Sequence, residues 1–204
     1  MPSRNIIKTD VPDSYYHIYA RGGSKRPIFL DAGDYAYFTN LFARYLSNKP
    51  AISKEGTTYP HYKDVVCLVA YCLMNNHFHL LVYQKEVGGM TRLMRSIMTS
   101  YSRYFNLKYR QSGALFESRY KASRIDVQSY LEHISRYIHL NPRNWRTHRY
   151  SSLGYYKRRK KPEWLRADLI MSTFETSRDY MNFLADYEDY KVMLSEIKHE
   201  LADN

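Results

Sequence analysis

Residues 64–84, DVVCLVAYCLMNNHFHLLVYQ, constrain the fold more than any other stretch of the chain. They read as two apolar strands joined by an Asn75-Asn76 turn, with His77-Phe78-His79 opening the second strand. Side chains alternate faces along a strand, so residues two apart point the same way. His77 and His79 therefore present two imidazoles on one face, with Leu81 and Tyr83 beyond them. Phe78, Leu80 and Val82 turn to the other face, where a core wants them. Two parallel imidazoles on a rigid strand supply two-thirds of a metal site. At this spacing alone the pair is a weak signal, because short motifs recur by chance.

The flanking sequence supplies the remaining elements. Tyr15 to Ala20 is β-rich and is broken by Arg21-Gly22-Gly23-Ser24. Tyr15, His17 and Tyr19 share one face of it, and His17 has two readings, a neighbour of the metal site or, the stronger expectation, a hydrogen-bonded structural histidine. Asp31 to Leu46 predicts a helix capped by Asp31 or Asp34, with Tyr35, Phe38, Leu41, Phe42 and Tyr45 at helical spacing. Residues 47–62 hold Pro and Gly and read as a loop. A long helix begins near Met90, with an apolar stripe through Leu93, Met94, Ile97, Met98, Tyr101 and Phe105. After a turn at Gln111-Ser112-Gly113, Leu115 to Ser123 reads as a short strand with Arg119 and Lys121 on one face. A further helix, capped at Asp126, buries Val127, Tyr130, Leu131, Ile134 and Ile138. It stops at Leu140 or Asn141, because Pro142 disfavours helical backbone in the residue before it.

Beyond it lie an irregular basic stretch, the run Lys157-Arg158-Arg159-Lys160-Lys161, and two amphipathic helices with an acidic finish. The order β-α-β-β-α-β-α predicts an α+β, ferredoxin-like sandwich: a mostly antiparallel four-stranded sheet with helices on one face. Residues 1–156 form the domain, and 157–204 a basic linker with a helical C-terminal extension.

The 204-residue chain carries a formal charge of +11 and 22 tyrosines. Such a charge can serve solubility alone. Here, though, cations stand beside aromatics repeatedly (Arg103-Tyr104, Arg119-Tyr120-Lys121, Arg136-Tyr137, Arg149-Tyr150), which suits phosphates and unpaired bases. Cys67 and Cys72 are the only cysteines; five apart on one strand, they are expected to face opposite ways and stay unpaired. That fits a reducing compartment. No apolar run approaches a membrane span and the N-terminus has no signal-peptide core, so the expectation is a cytoplasmic protein.

The segment SRYIHLNP (135–142) gives the histidine pair a partner. Tyr137 and Asn141 are four apart on the last helix of the domain and project from one face. An amide oxygen is a good hard ligand, and a tyrosine hydroxyl one turn away stands beside whatever the cation holds. With YCLMNNHFH, YHIYARGGSKRPIF (16–29), SYSRYFN (100–106) and GALFESRYK (113–121), the chain from about 15 to 152 resembles the HUH single-tyrosine transposases of the insertion-sequence type. The similarity is greatest to the branch associated with repetitive extragenic palindromes.

The resemblance implies that His77 and His79 bind Mg²⁺ or Mn²⁺ with Asn141 as third ligand. It implies that Tyr137 attacks a DNA phosphodiester, forming a 5′-phosphotyrosine link, on single-stranded DNA folded as an imperfect hairpin. Arg119, Lys121 and Arg124, with Arg21, Lys25 and Arg143, are the candidate phosphate contacts, and the Lys157–Lys161 run is either a solvated segment or a clamp on the hairpin stem. Whether the protein is a monomer or a homodimer that exchanges the tyrosine helix is left open.

Other tyrosines compete for the role. Tyr101 and Tyr104 lie on a helix among arginines, but the residues four further on are Phe105 and Lys108, neither a ligand type. His133 and His139 flank Tyr137 off its face and are left out of the metal shell. Two other classes stand beside the enzyme: a hairpin DNA- or RNA-binding protein that keeps the fold without cutting, and a zinc-dependent hydrolase. The last wants a further Cys, His or carboxylate ligand near the pair.

Overall fold

The computed structural model describes residues 10–125, 128–158 and 160–186. The expected cap Asp126, its neighbour Val127, Arg159 of the basic run and the acidic finish fall outside these residues. The elements are β1 (Ser14–Arg21), α1 (Ala32–Leu46), β2 (Val66–Leu73), β3 (His77–Gln84), α2 (Gly89–Tyr109), β4 (Lys121–Ile125), α3 (Gln128–Leu140), α4 (Leu153–Tyr156), α5 (Asp168–Met171) and α6 (Ser177–Ala185). The sheet has the order β2-β3-β1-β4, and every pair in it is antiparallel. The α+β class and the antiparallel, ferredoxin-like sheet are as the order of elements predicts, but the helices are not confined to one face.

Each element forms for a local reason. Asp31 and Asp34 cap α1 reciprocally, each side chain taking the other's backbone N–H. Asp34 is buried and also accepts from Lys108, Tyr104 and Tyr109, which ties α1 to the end of α2. The turn after β1 is clasped to the Asn75-Asn76 turn. Gly22 N donates to Asn76 O at 2.9 Å, and Ile28 N and Phe29 N both donate to Asn75 O. At Gly22 a Cβ would stand 2.2 Å from Arg26 O, so only glycine permits the approach. The start of the His-x-His strand is thereby fixed.

The helices divide between the two faces of the sheet. α1 packs on one side, where Phe38 meets Phe78 and Phe42 meets Tyr71. α3 covers the other, with Tyr137 against His79 and His17. α3 is then enclosed from behind by α6. The Tyr180 hydroxyl lies 3.0 Å from Ser135 Oγ and 2.6 Å from His139 Nδ1, and His139 Nε2 lies 2.6 Å from Ser152 Oγ. Arg136 donates to the carbonyl of Phe183. Buried polar groups need partners, and Ser135, His139 and Tyr180 find them in one another and in Ser152. His133 and His139 thus serve the packing of α3, not the histidine pair. Tyr180→Phe is expected to destabilise the protein by about 1–3 kcal/mol, since it leaves buried partners unsatisfied. Urea unfolding of the two proteins measures it.

Two local expectations change. A bulge between Leu68 and Ala70 adds a residue to β2, so Cys67 stands opposite Tyr83 and Cys72 opposite His79. Directly opposed residues share a face, so both cysteines lie on the His77 face instead of opposite ones. Both are buried and free, and roughly 16 Å of strand separates them. The strand expected from Leu115 begins only at Lys121. Leu115 and Phe116 are both buried, which breaks alternation, and the segment is held by Gly23 N–Leu115 O and Glu117 N–Arg21 O.

Candidate active site

Register brings the site together. Arg21 stands opposite His77, and Tyr19 stands opposite both His79 on β3 and Lys121 on β4. These side chains therefore share one face of three adjacent strands. α3 lies across that face and lowers Tyr137 and Asn141, one turn apart, onto it. A pocket of about 200 Å³ results, lined by His77, His79, Asn141, Tyr137, Lys121 and Arg119 among others. Tyr137 is 6% exposed and meets the ring of His79 edge-on at 5.4 Å. The competing tyrosines are elsewhere. Tyr101 is fully buried and donates to Ile28 O, and Tyr104 bonds Asp34.

The amide of Asn141 spans the two imidazoles, with Oδ1 3.2 Å from His77 Nε2 and Nδ2 3.4 Å from His79 Nε2. Adjacent ligands of an octahedral Mg²⁺ with bonds of about 2.1 Å stand roughly 3.0 Å apart. Asn141 Oδ1 and His77 Nε2 already stand near that spacing, and the His79 ring is beside the same amide, so the three side chains fit a shared divalent cation. Among the described residues no group of three or more His, Cys, Asp or Glu could hold a metal. A cation here would draw on Asn141 and on oxygens from outside the protein, and the closed donor set of a structural zinc site is not offered.

His17 belongs to this site in a way its strand pattern only hinted at. Its Nε2 lies 2.9 Å from His79 Nδ1, with the two rings nearly parallel at 11°. It also meets the edge of Tyr137 at 5.6 Å. For His79 Nε2 to offer a lone pair, its proton must sit on Nδ1 and be donated to His17 Nε2. The other nitrogen of His17 has no hydrogen-bond partner among the described residues. On the other side, His77 Nδ1 is 2.7 Å from Asn76 Oδ1. Both rings of the pair are therefore oriented by a neighbour.

Burial holds His17 at a pKa of about 3. Burial first, then His17 and His77, push His79 well below the usual value. His139 is likewise lowered by burial to about 3. A histidine depressed in the fold stabilises it above the unfolded value of about 6.5 and loses that contribution as pH falls toward the folded value. For His17 and His139 the expected loss below pH 6.5 is roughly 1.4 kcal/mol per pH unit for each ring. Urea midpoints at pH 7.5, 6 and 5 test this.

The candidate phosphate contacts separate. Arg21, Arg119 and Lys121 line the pocket, and Arg21 pairs with Glu117 at 3.5 Å. Arg124 stands opposite Tyr16 and so projects from the other face of the sheet. Lys25 sits in the turn that clasps Asn76, with its carbonyl taking the Asn76 amide. Arg143 is exposed two residues past Asn141. A larger groove of about 810 Å³ between α2 and residues 113–120 shares Glu117, Ser118 and Arg119 with the pocket.

A ferredoxin-like sheet presenting His-x-His beneath a helix that presents Tyr-x-x-x-Asn is the arrangement that the resemblance to the HUH single-tyrosine transposases implies. Residues 57–141 match the family model for IS200-like transposases. A solved structure of a REP-associated tyrosine transposase bound to a REP hairpin has the same fold. It aligns with a TM-score of 0.55 over 79% of this chain and 91% of that chain, at 12% identity. No curated protein matches the chain. Among the described residues no helix is long and apolar enough to cross a membrane.

Proposed function

We propose that this protein is a metal-assisted DNA strand transferase that nicks single-stranded, hairpin-forming DNA through Tyr137. The convergence of Tyr137, Asn141, His77 and His79 in one cation-rimmed pocket carries the reading. The Tyr137 oxygen forms a bond to the scissile phosphorus and the bond to the 3′ oxygen breaks. The phenolic proton is lost and the departing 3′ oxygen is protonated, which leaves a 5′-phosphotyrosine and a 3′-hydroxyl. An ordinary phenol has a pKa of about 10, so little phenolate exists at neutral pH and the reaction depends on placement and charge. His77, His79 and Asn141 would hold Mg²⁺ or Mn²⁺, which when bound polarises the phosphate and takes up developing charge. Lys121 and Arg119 add positive charge at the pocket. The tyrosyl phosphodiester conserves the energy of the broken bond, so a second 3′-hydroxyl can reverse the step onto a new strand.

The groove that shares Glu117, Ser118 and Arg119 with the pocket offers an unpaired strand a path to it. The hairpin as partner is supported by the solved structure of similar fold, which holds one. The test is a suicide oligonucleotide, a palindromic single strand interrupted so that the released fragment is lost and the adduct persists. Mass spectrometry should find the 5′-phosphate on Tyr137 in Mg²⁺ and none after chelation. Tight hairpin binding with no adduct in any divalent cation would turn the reading to a non-cutting binder. Because two of three protein ligands are imidazoles, Mn²⁺ should support adduct formation at least as well as Mg²⁺, measured as initial rates in each ion.

A further inference from the structure

A second cationic site lies on the far side of the nucleophile helix from the Arg119–Lys121 rim. Just after α3 the chain turns back along the outer edge of β2. Leu73 N donates to Tyr150 O and Ser152 N to Tyr71 O, both at 2.9 Å, and Tyr150 stacks on Tyr35 at 3.6 Å. His148 Nε2 lies 3.0 Å from Leu73 O. This pinned loop and α4 enclose a cleft of about 380 Å³ whose lining includes Arg146, Arg149, Lys157 and Arg158 and contains no carboxylate. All four cations are exposed, and none forms an ion pair with a described residue. The Arg146 guanidinium carbon lies over the Trp145 ring, 4.3 Å from its centroid, which holds the cation in place.

Four like charges gathered around one cleft repel one another. That arrangement is stabilised when an anion of matching extent lies across them. The position indicates which anion. Asn141 lines the catalytic pocket and Trp145 lines this cleft, so no more than about 14 Å of chain separates the two. Along a duplex that is about four base pairs at 3.4 Å each. A strand held at Tyr137 therefore has its paired portion within reach of the cleft.

We infer that the cleft formed by Arg146, Arg149, Lys157 and Arg158 grips the phosphate backbone of the duplex stem, while the Arg21–Arg119–Lys121 rim serves the unpaired strand. This rests on the DNA reading above and divides that substrate between two surfaces. The cleft contacts backbone only, so it contributes affinity and orientation without base preference.

The experiment compares wild type with the fourfold variant R146Q/R149Q/K157Q/R158Q on two probes: a DNA hairpin with a single-stranded flank, and an unstructured strand carrying that flank alone. These side chains are exposed, so the fold should persist, and circular dichroism checks it. The variant should lose roughly 10- to 100-fold in hairpin affinity at moderate salt, and its salt slope should shrink by about 3.6, or 0.9 for each duplex phosphate released. Affinity for the unstructured strand, and adduct formation on it, should stay within about threefold of wild type, well inside the spread expected if no phosphate contact is lost. An unchanged hairpin affinity, or an equal loss on both probes, overturns the assignment. If wild type binds neither probe, the DNA reading itself falls, and the two failures are thereby told apart.

Discussion

Tyr137→Phe should abolish the covalent adduct while leaving the fold and DNA affinity in place. The phenyl ring keeps the edge-on contacts to His17 and His79, and with them the packing of α3 on the sheet. Only the hydroxyl goes. Loss of a covalent nucleophile costs roughly 10⁴-fold or more in rate, because no other group stands in its place. The readout is adduct formation on the suicide oligonucleotide alongside equilibrium binding of the intact hairpin. Retention of an adduct in the variant would move the nucleophile to another tyrosine and break the link between α3 and the histidine pair. Tyr101 is a poor substitute, since it is fully buried and its hydroxyl is committed to a backbone carbonyl.

The second large effect concerns His17, which touches no substrate in our reading and acts as a positioning residue for His79. His17→Phe fills the same space but removes the acceptor 2.9 Å from His79 Nδ1. With that bond gone, the Nδ1 proton of His79 loses its acceptor, and the ring is held less firmly with Nε2 ready as a ligand. Losing the partner that orients a ligating histidine typically weakens metal affinity by about 10- to 100-fold. Mn²⁺ titration followed by electron paramagnetic resonance measures this without any turnover. His17→Gln places an amide group near the lost nitrogen and should recover most of the affinity. A merely structural histidine would lower stability in both variants and leave Mn²⁺ binding untouched. If His77→Ala also leaves Mn²⁺ binding unchanged, the cation does not sit on this pair at all.

Much of the site is legible in the sequence. His77 and His79 share a face because strand residues two apart must, and Tyr137 and Asn141 share one because helix residues four apart do. Both statements are local. His17 was harder to place. Its face on β1 was readable, yet whether that face met a helix, solvent or another strand depended on where β1 sat. Insertion of β1 between β3 and β4 put His17 beside His79 and under Tyr137. The same register separated Lys121 from Arg124. Residues three apart on a strand point opposite ways, and only the pairing with Tyr19 and Tyr16 says which of them meets the site.

Amino-acid order by itself determined the elements, the α+β class and the two halves of the site, because periodicity, capping and turn residues act over a few positions. Tertiary structure alone decided that the halves meet, that the helices cover both faces, and that a bulge carries Cys67 and Cys72 to the same side. It also decided that residues after α3 turn back to form a basic cleft on the edge of β2. These outcomes depend on strand order, register and hydrogen bonds between segments tens of residues apart. No window of a few residues contains that information.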